Sequence, residues 1–143
     1  MTIILISIVK YFKLFRIDHW VKNLYIFAPI FFGGQVFLWY KLQLSGLVFI
    51  FFSIMSSSVY IFNDWRDIES DKLHPVKKSR PLANGSIKPS TAIMISFVLA
   101  FLSLSFAFII NYQLGIIIGL YALLNIGYSL YFKRLAIIDV TLI

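Results

Sequence analysis

Long apolar stretches alternate with short polar ones along this chain, and the boundaries between them are sharp. No charged side chain occurs from Leu44 to Phe62, and none from Pro89 to Phe132. The first stretch predicts one membrane-spanning helix. The second is too long for one span and suits two, joined by a tight turn near Asn111-Tyr112-Gln113. Val21–Trp39 carries only Lys22, near its edge. As a helix it would measure roughly 28 Å, about a hydrocarbon core, so it predicts a further span. Pro29 and Gly33-Gly34 inside it predict a bend or a broken end. Residues 2–22 mix Ile, Leu, Val and Phe with Lys10, Lys13, Arg16 and Lys22. The apolar part before Lys10 is too short to span, and the stretch predicts an interfacial helix with His19 and Trp20 near headgroup level. Leu135–Ile143 opens another apolar run after Lys133-Arg134. The expected fold is all-α: a polytopic transmembrane helical bundle of four spans plus the start of a fifth, forming one membrane domain over residues 1–143.

Composition agrees with the pattern. Only 13% of residues are charged, about half the share of a soluble domain, and the mean hydropathy is +0.88. The net charge of +7 does not point to nucleic acid, because the bases sit at the ends of apolar runs. Anionic headgroups and topology explain them more simply. All bases except Lys41 fall in three polar stretches, at 10–22, 63–90 and 133–134. An even number of crossings places those stretches on one side. The positive-inside rule makes that side cytoplasmic, which predicts an integral protein of a bacterial inner (plasma) membrane. Cysteine is absent, which excludes disulfides and thiolate metal sites. No basic n-region or small-residue cleavage site marks the N-terminus as a cleaved signal peptide.

The chemistry concentrates in 63–90, the one long polar segment. It begins Asn63-Asp64-Trp65-Arg66-Asp67-Ile68-Glu69-Ser70-Asp71, the pattern N-D-x-x-D-x-x-x-D, directly after an apolar span. On a helix Asp64, Asp67 and Asp71 share one face, and Glu69 lies off it. Three crowded carboxylates repel unless a cation lies among them, and oxygen-only ligands favour Mg²⁺, which commonly bridges carboxylates to phosphates. Lys72, Lys77, Lys78, Arg80 and Lys88 follow, with Pro75, Pro81, Gly85 and Pro89 making most of the segment a loop. Acids for a metal beside bases for phosphate predict a diphosphate-handling site at the mouth of a membrane protein.

With Arg80-Pro81-Leu82-Ala83-Asn84-Gly85 added, N-D-x-x-D-x-x-x-D followed by R-P-L-A-x-G resembles the UbiA superfamily of intramembrane prenyltransferases. Trp20-Val21-Lys22-Asn23 and His74-Pro75-x-Lys77-x-x-Arg80-Pro81 bring the resemblance closer to the branch that includes decaprenyl-phosphate phosphoribosyltransferase. One departure is Ile17, where the family often has proline after the arginine. A larger one is length: family members are about twice as long and carry a second aspartate-rich motif, whereas Asp139 is the one acid after Asp71 here. The chain is expected to be the N-terminal half of such an enzyme, inactive alone.

The resemblance implies Mg²⁺-dependent transfer of 5-phosphoribosyl from phosphoribosyl diphosphate to a polyprenyl phosphate, a cell-envelope polysaccharide precursor. It implies Asp64 and Asp67 as catalytic residues and Asn63, Asp64, Asp67 and Asp71 as the metal set. Lys77 and Arg80 are expected to bind phosphate. Lys22 and Asn23 are further candidates for the substrate. Asn125 and Tyr128, inside the last complete span, are candidates to line a substrate cavity, the alternative being an amide that merely joins helices. Two other possibilities remain: an aromatic polyprenyltransferase of quinone biosynthesis, which would take a prenyl diphosphate, and a non-catalytic membrane fragment.

Overall fold

The computed structural model describes residues 2–132, with side chains described from Ile8 to Leu130. Among these residues every regular element is helical: α1 (Thr2–Phe15), a 3-10 segment (Ile17–Phe27), α2 (Ala28–Phe32), α3 (Trp39–Arg66), α4 (Ile68–Leu73), a 3-10 turn (Lys77–Ser79), α5 (Pro89–Ile110) and α6 (Tyr112–Gly127), which runs into a π-helical turn at Tyr128–Phe132. The expected start of a fifth span, and Lys133-Arg134, lie outside the described residues.

Three helices are long and apolar enough to cross a membrane: Trp39–Arg66, Pro89–Ile110 and Tyr112–Leu130. Their outward faces carry Phe97, Phe101, Ile109, Leu123 and Leu124, all exposed. In water such faces would be an association liability; in hydrocarbon they are solvated. The protein is an all-α integral membrane bundle.

The segment Val21–Trp39 is broken, as Pro29 and Gly33-Gly34 lead one to expect. It is a 3-10 segment followed by the short α2 and not one continuous helix, and it runs antiparallel along α3, from Arg16 beside Asp64 to Phe27 beside Phe49. Pro29 sits in the first turn of α2, where its missing N–H costs nothing. Gly33 and Gly34, the latter at φ 64°, end that helix after five residues. The preceding 3-10 segment lies along α3, held by two serines one turn apart: Asn23 Nδ2 donates to Ser53 Oγ at 2.9 Å, and Trp20 Nε1 to Ser57 Oγ at 3.0 Å. Trp20, expected as a headgroup anchor, is thus a bolt between elements. The leading helix also stops sooner than expected, at Phe15.

Serines join the spans as well. Ser58 Oγ donates to the Ser96 carbonyl at 2.8 Å, Ser96 Oγ returns a bond to the Ser58 carbonyl at 2.9 Å, and Ser103 Oγ reaches the Phe51 carbonyl at 2.7 Å. Small residues let α3 and α5 approach closely enough for these bonds. Phe51 and Phe106 stack at 4.7 Å between centroids on the same interface. Asn111 caps α6 by accepting from the Gln113 amide at 2.7 Å, which makes the tight turn. Gly115 is needed beside it, since a Cβ there would stand 2.5 Å from the Phe108 ring.

Candidate functional site

The polar segment is tied to the apolar core at its middle. Leu82 and Ile87 are buried with Leu14, Ile61 and Ala92, so loop, α1, α3 and α5 share one cluster. Between these anchors the turn closes on itself. The Asn84 amide bonds the Arg80 carbonyl at 2.9 Å, and the Ile87 amide bonds the Pro81 carbonyl at 3.1 Å. Gly85 takes φ 75°, a conformation side chains resist. Upstream, His74 Nδ1 accepts from the amides of Val76 and Lys77 at 3.2 and 3.3 Å, shaping the approach to Lys77. Burying Leu82 therefore fixes where Arg80 leaves the chain.

Arg80 points back at the aspartates. Its Nη1 donates to Asp64 Oδ1 at 3.0 Å and to Asp71 Oδ2 at 2.6 Å. Asp64 and Asp71 are both buried. Arg16, at the end of α1, adds a second guanidinium: its Nη2 lies 2.6 Å from Asp64 Oδ1. Arg16 holds φ 49° and ψ 49°, a left-handed conformation costly for a residue with a Cβ. It also lies over the Tyr60 ring at 4.8 Å, and His19 meets that ring edge-on at 5.6 Å.

The aspartate helix is not continuous. α3 ends at Arg66, Asp67 takes φ −95° and ψ 7°, and α4 begins at Ile68. Backbone bonds from Asp67 N to the Asn63 carbonyl and from Asp71 N to the Asp67 carbonyl, at 3.0 and 2.8 Å, carry the helical spacing across the break. Asp64 and Asp71 consequently turn to the same guanidinium. Glu69 is exposed and pairs with Lys72 at 2.8 Å, away from the group.

Two adjoining clefts open here and share Arg16, Asp64, Lys77 and Arg80 on their walls. The inner one, about 200 Å³, adds Tyr60, Asn63, Asp67, Tyr128 and Ser129. The outer one, about 370 Å³, adds Lys13, Asp18 and His19 among others. Of the residues expected from sequence, Asn63, Asp64, Asp67, Lys77, Arg80 and Tyr128 meet in the inner cleft. Asp71 reaches it only through Arg80. Lys22 is exposed and lines neither cleft. Asn23 is buried against Ser53, and Asn125 donates to the Tyr121 carbonyl of its own helix at 2.8 Å.

Sequence reasoning left out Arg16 and Ser129. In sequence Arg16 is one of several bases at the end of an apolar stretch; its place before Trp20-Val21-Lys22-Asn23 is the signal available there. Ser129 had none, because one serine in an apolar span reads as packing.

Residues 25–143 match the UbiA prenyltransferase family. The chain belongs to that family. Three relatives show how far the likeness extends. Protein y4nM of Sinorhizobium fredii is 31% identical over 90% of this chain and 25% of its own length. The decaprenyl-phosphate phosphoribosyltransferase of Mycobacterium tuberculosis is 33% identical over 92% of this chain and 45% of its own length. The enzyme of the same name from Corynebacterium glutamicum is 31% identical over 92% of this chain and 41% of its own length. This UbiA-family chain spans less than half the length of these curated relatives.

Proposed function

We propose that this chain supplies the first aspartate motif of a membrane transferase that moves a 5-phosphoribosyl group from phosphoribosyl diphosphate to a polyprenyl phosphate. The observation that carries this reading is the gathering of Asp64 and Asp67 with Arg16, Lys77 and Arg80 around one cleft at the end of a membrane-spanning helix. The likeness to decaprenyl-phosphate phosphoribosyltransferases supports the choice of donor and acceptor.

In the transfer, the bond between the anomeric carbon and the diphosphate oxygen breaks, and diphosphate departs with the electron pair. An anionic oxygen of the lipid phosphate supplies the pair for the new bond, so no proton need be removed from the acceptor. Lys77 and Arg80 bind the donor's phosphates through charge-assisted hydrogen bonds. Arg16 orients Asp64 and adds positive charge where the diphosphate charge grows.

A divalent cation, Mg²⁺ by the hardness of the oxygen donors, fits the residue types present. Asn63 Oδ1 is buried without a hydrogen-bond partner among the described residues, beside Asp64 and Asp67 on the cleft wall. No group of three acidic or histidine side chains among the described residues is arranged to hold a metal, because guanidinium groups engage Asp64 and Asp71. Asn63, Asp64, Asp67 and Asp71 would hold the ion once Arg16 and Arg80 turn toward a phosphate. Bound there, it would neutralise charge on the leaving diphosphate. The bases of 63–90 support a cytosolic position for this site at a bacterial inner membrane, where soluble donors are found.

Donor binding tests the assignment. Lys77→Ala removes one charge-assisted contact, and affinity for phosphoribosyl diphosphate in membranes should fall about tenfold or more. Unchanged affinity would contradict the placement of the donor's phosphates beside Lys77.

A further inference from the structure

Among the described residues, three buried side-chain atoms lack a hydrogen-bond partner: His19 Nδ1, Asn63 Oδ1 and Ser129 Oγ. All three residues lie on the walls of the two adjoining clefts. An unsatisfied buried polar atom is costly, and the cost is felt most where little water competes. A chance scatter of such atoms would not single out one site in a bundle whose other buried hydroxyls, Ser53, Ser56, Ser57, Ser58, Ser96 and Ser103, are all bonded.

Ser129 is the most informative of the three. It is 6% exposed, within a run that is otherwise apolar from Ile126 to Phe132 apart from Tyr128 and Tyr131. A serine inside a helix ordinarily satisfies its hydroxyl on the carbonyl one turn back. Ser129 does not. It stands where α6 gives way to the π-helical turn Tyr128–Phe132, a local widening that often marks a functional site. The turn brings Tyr128 and Ser129 onto the wall of the inner cleft, which Asp64 and Asp67 also line.

We infer that Ser129, with His19 in the adjoining cleft, forms a hydroxyl-reading subsite that selects a sugar diphosphate over a hydrocarbon diphosphate. The inference rests on the function proposed above and names what chooses its donor. A prenyl chain laid against Ser129 Oγ would seal an unbonded hydroxyl under hydrocarbon. A ribose offers hydroxyls that both donate and accept, matching a serine hydroxyl and an imidazole nitrogen. A site built to bond a substrate hydroxyl rejects the analogue lacking it far more strongly than an apolar pocket rejects an extra methylene. Selectivity thus comes from the end of α6, separate from the Asp64, Arg80 and Lys77 groups that meet the phosphates.

The test is calorimetric binding to the chain in lipid nanodiscs with Mg²⁺. The ligands are phosphoribosyl diphosphate, its 2-deoxy and 3-deoxy counterparts, inorganic diphosphate and geranyl diphosphate. At least one deoxy ligand should bind about tenfold more weakly than its parent. Ser129→Ala should weaken the parent about tenfold, erase that deoxy difference, and leave inorganic diphosphate within about twofold. Equal binding of the parent and both deoxy ligands would overturn the subsite, and so would a Ser129→Ala variant that weakens inorganic diphosphate as much as the sugar ligand. If that variant does not fold, the deoxy series on the unsubstituted chain decides alone. Tighter binding of geranyl diphosphate than of the sugar donor, or no binding of the sugar donor, would defeat the donor assignment and the subsite together. A sugar preference indifferent to both hydroxyls would defeat the subsite alone.

Discussion

Arg16 and Asp64 are 48 positions apart in the chain, and their side chains meet at 2.6 Å. The pair joins the end of the leading helix to the aspartate motif. Arg80 shares the same carboxylate oxygen and holds Asp71 as well. Two guanidinium groups facing two buried carboxylates balance in charge, which lets Asp64 and Asp71 be buried.

Removing either arginine should therefore destabilise the bundle, and Arg80 more than Arg16. Arg16→Met leaves Asp64 with one partner and relieves no backbone strain, so a loss of about 1–3 kcal/mol is expected. Arg80→Met strips a partner from two buried carboxylates, for about 3–5 kcal/mol. Unfolding in detergent micelles measures both, and the double variant should be non-additive because the two arginines share Asp64. Losses under about 0.5 kcal/mol at both positions would mean that the ion pairs are solvated in the folded protein.

The loop anchor gives a second prediction. Leu82 is 3% exposed, and Leu82→Ala should cost about 2–5 kcal/mol by opening a cavity among Leu14, Ile61 and Ile87. Arg80 precedes Leu82 by two positions, so the same substitution should weaken donor binding although Leu82 lines neither cleft. A destabilised variant that binds the donor normally would separate the anchor from the site.

Charge at the motif gives a third. Asp64→Asn and Asp67→Asn change shape little and remove charge. In the active transferase each should cost at least about 2–4 kcal/mol of transition-state stabilisation, a rate loss of roughly 30-fold or more. Glu69→Gln should be mild, because Glu69 is exposed and engaged with Lys72. Comparable losses at all three positions would remove the distinction between the cleft-lining aspartates and their neighbour.

Topology can be checked independently. Ser79 is exposed in the polar segment. A Ser79→Cys variant, in a chain that has no cysteine of its own, should react with membrane-permeant maleimides and stay silent to impermeant ones in intact cells. Labelling from outside would reverse the orientation drawn from the basic residues.

Much of this was legible beforehand, for identifiable reasons. Leu44–Phe62 lies inside α3, and Pro89–Phe132 divides at Asn111, since uninterrupted apolar sequence has few alternatives in a bilayer. The aspartates announced themselves because acids at the edge of an apolar run are expensive. Val21–Trp39 is interrupted where Pro29, Gly33 and Gly34 predict it; its 3-10 winding against Ser53 and Ser57 was hidden because those bonds join distant positions. Arg16 was hidden because a pairing across 48 positions leaves no local pattern. Ser129 was hidden because its meaning lies in the bond it does not make.

The most direct measurement of the central claim is product formation. The transferase in membranes is given phosphoribosyl diphosphate labelled in the ribose, a polyprenyl phosphate and Mg²⁺, and the organic phase is examined by mass spectrometry. Phosphoribosyl transfer predicts a lipid-linked phosphoribose and one diphosphate released per lipid converted, with both lost in Asp64→Asn. A protein that leaves the labelled donor untouched and instead joins a prenyl diphosphate to an aromatic acid would contradict the assignment.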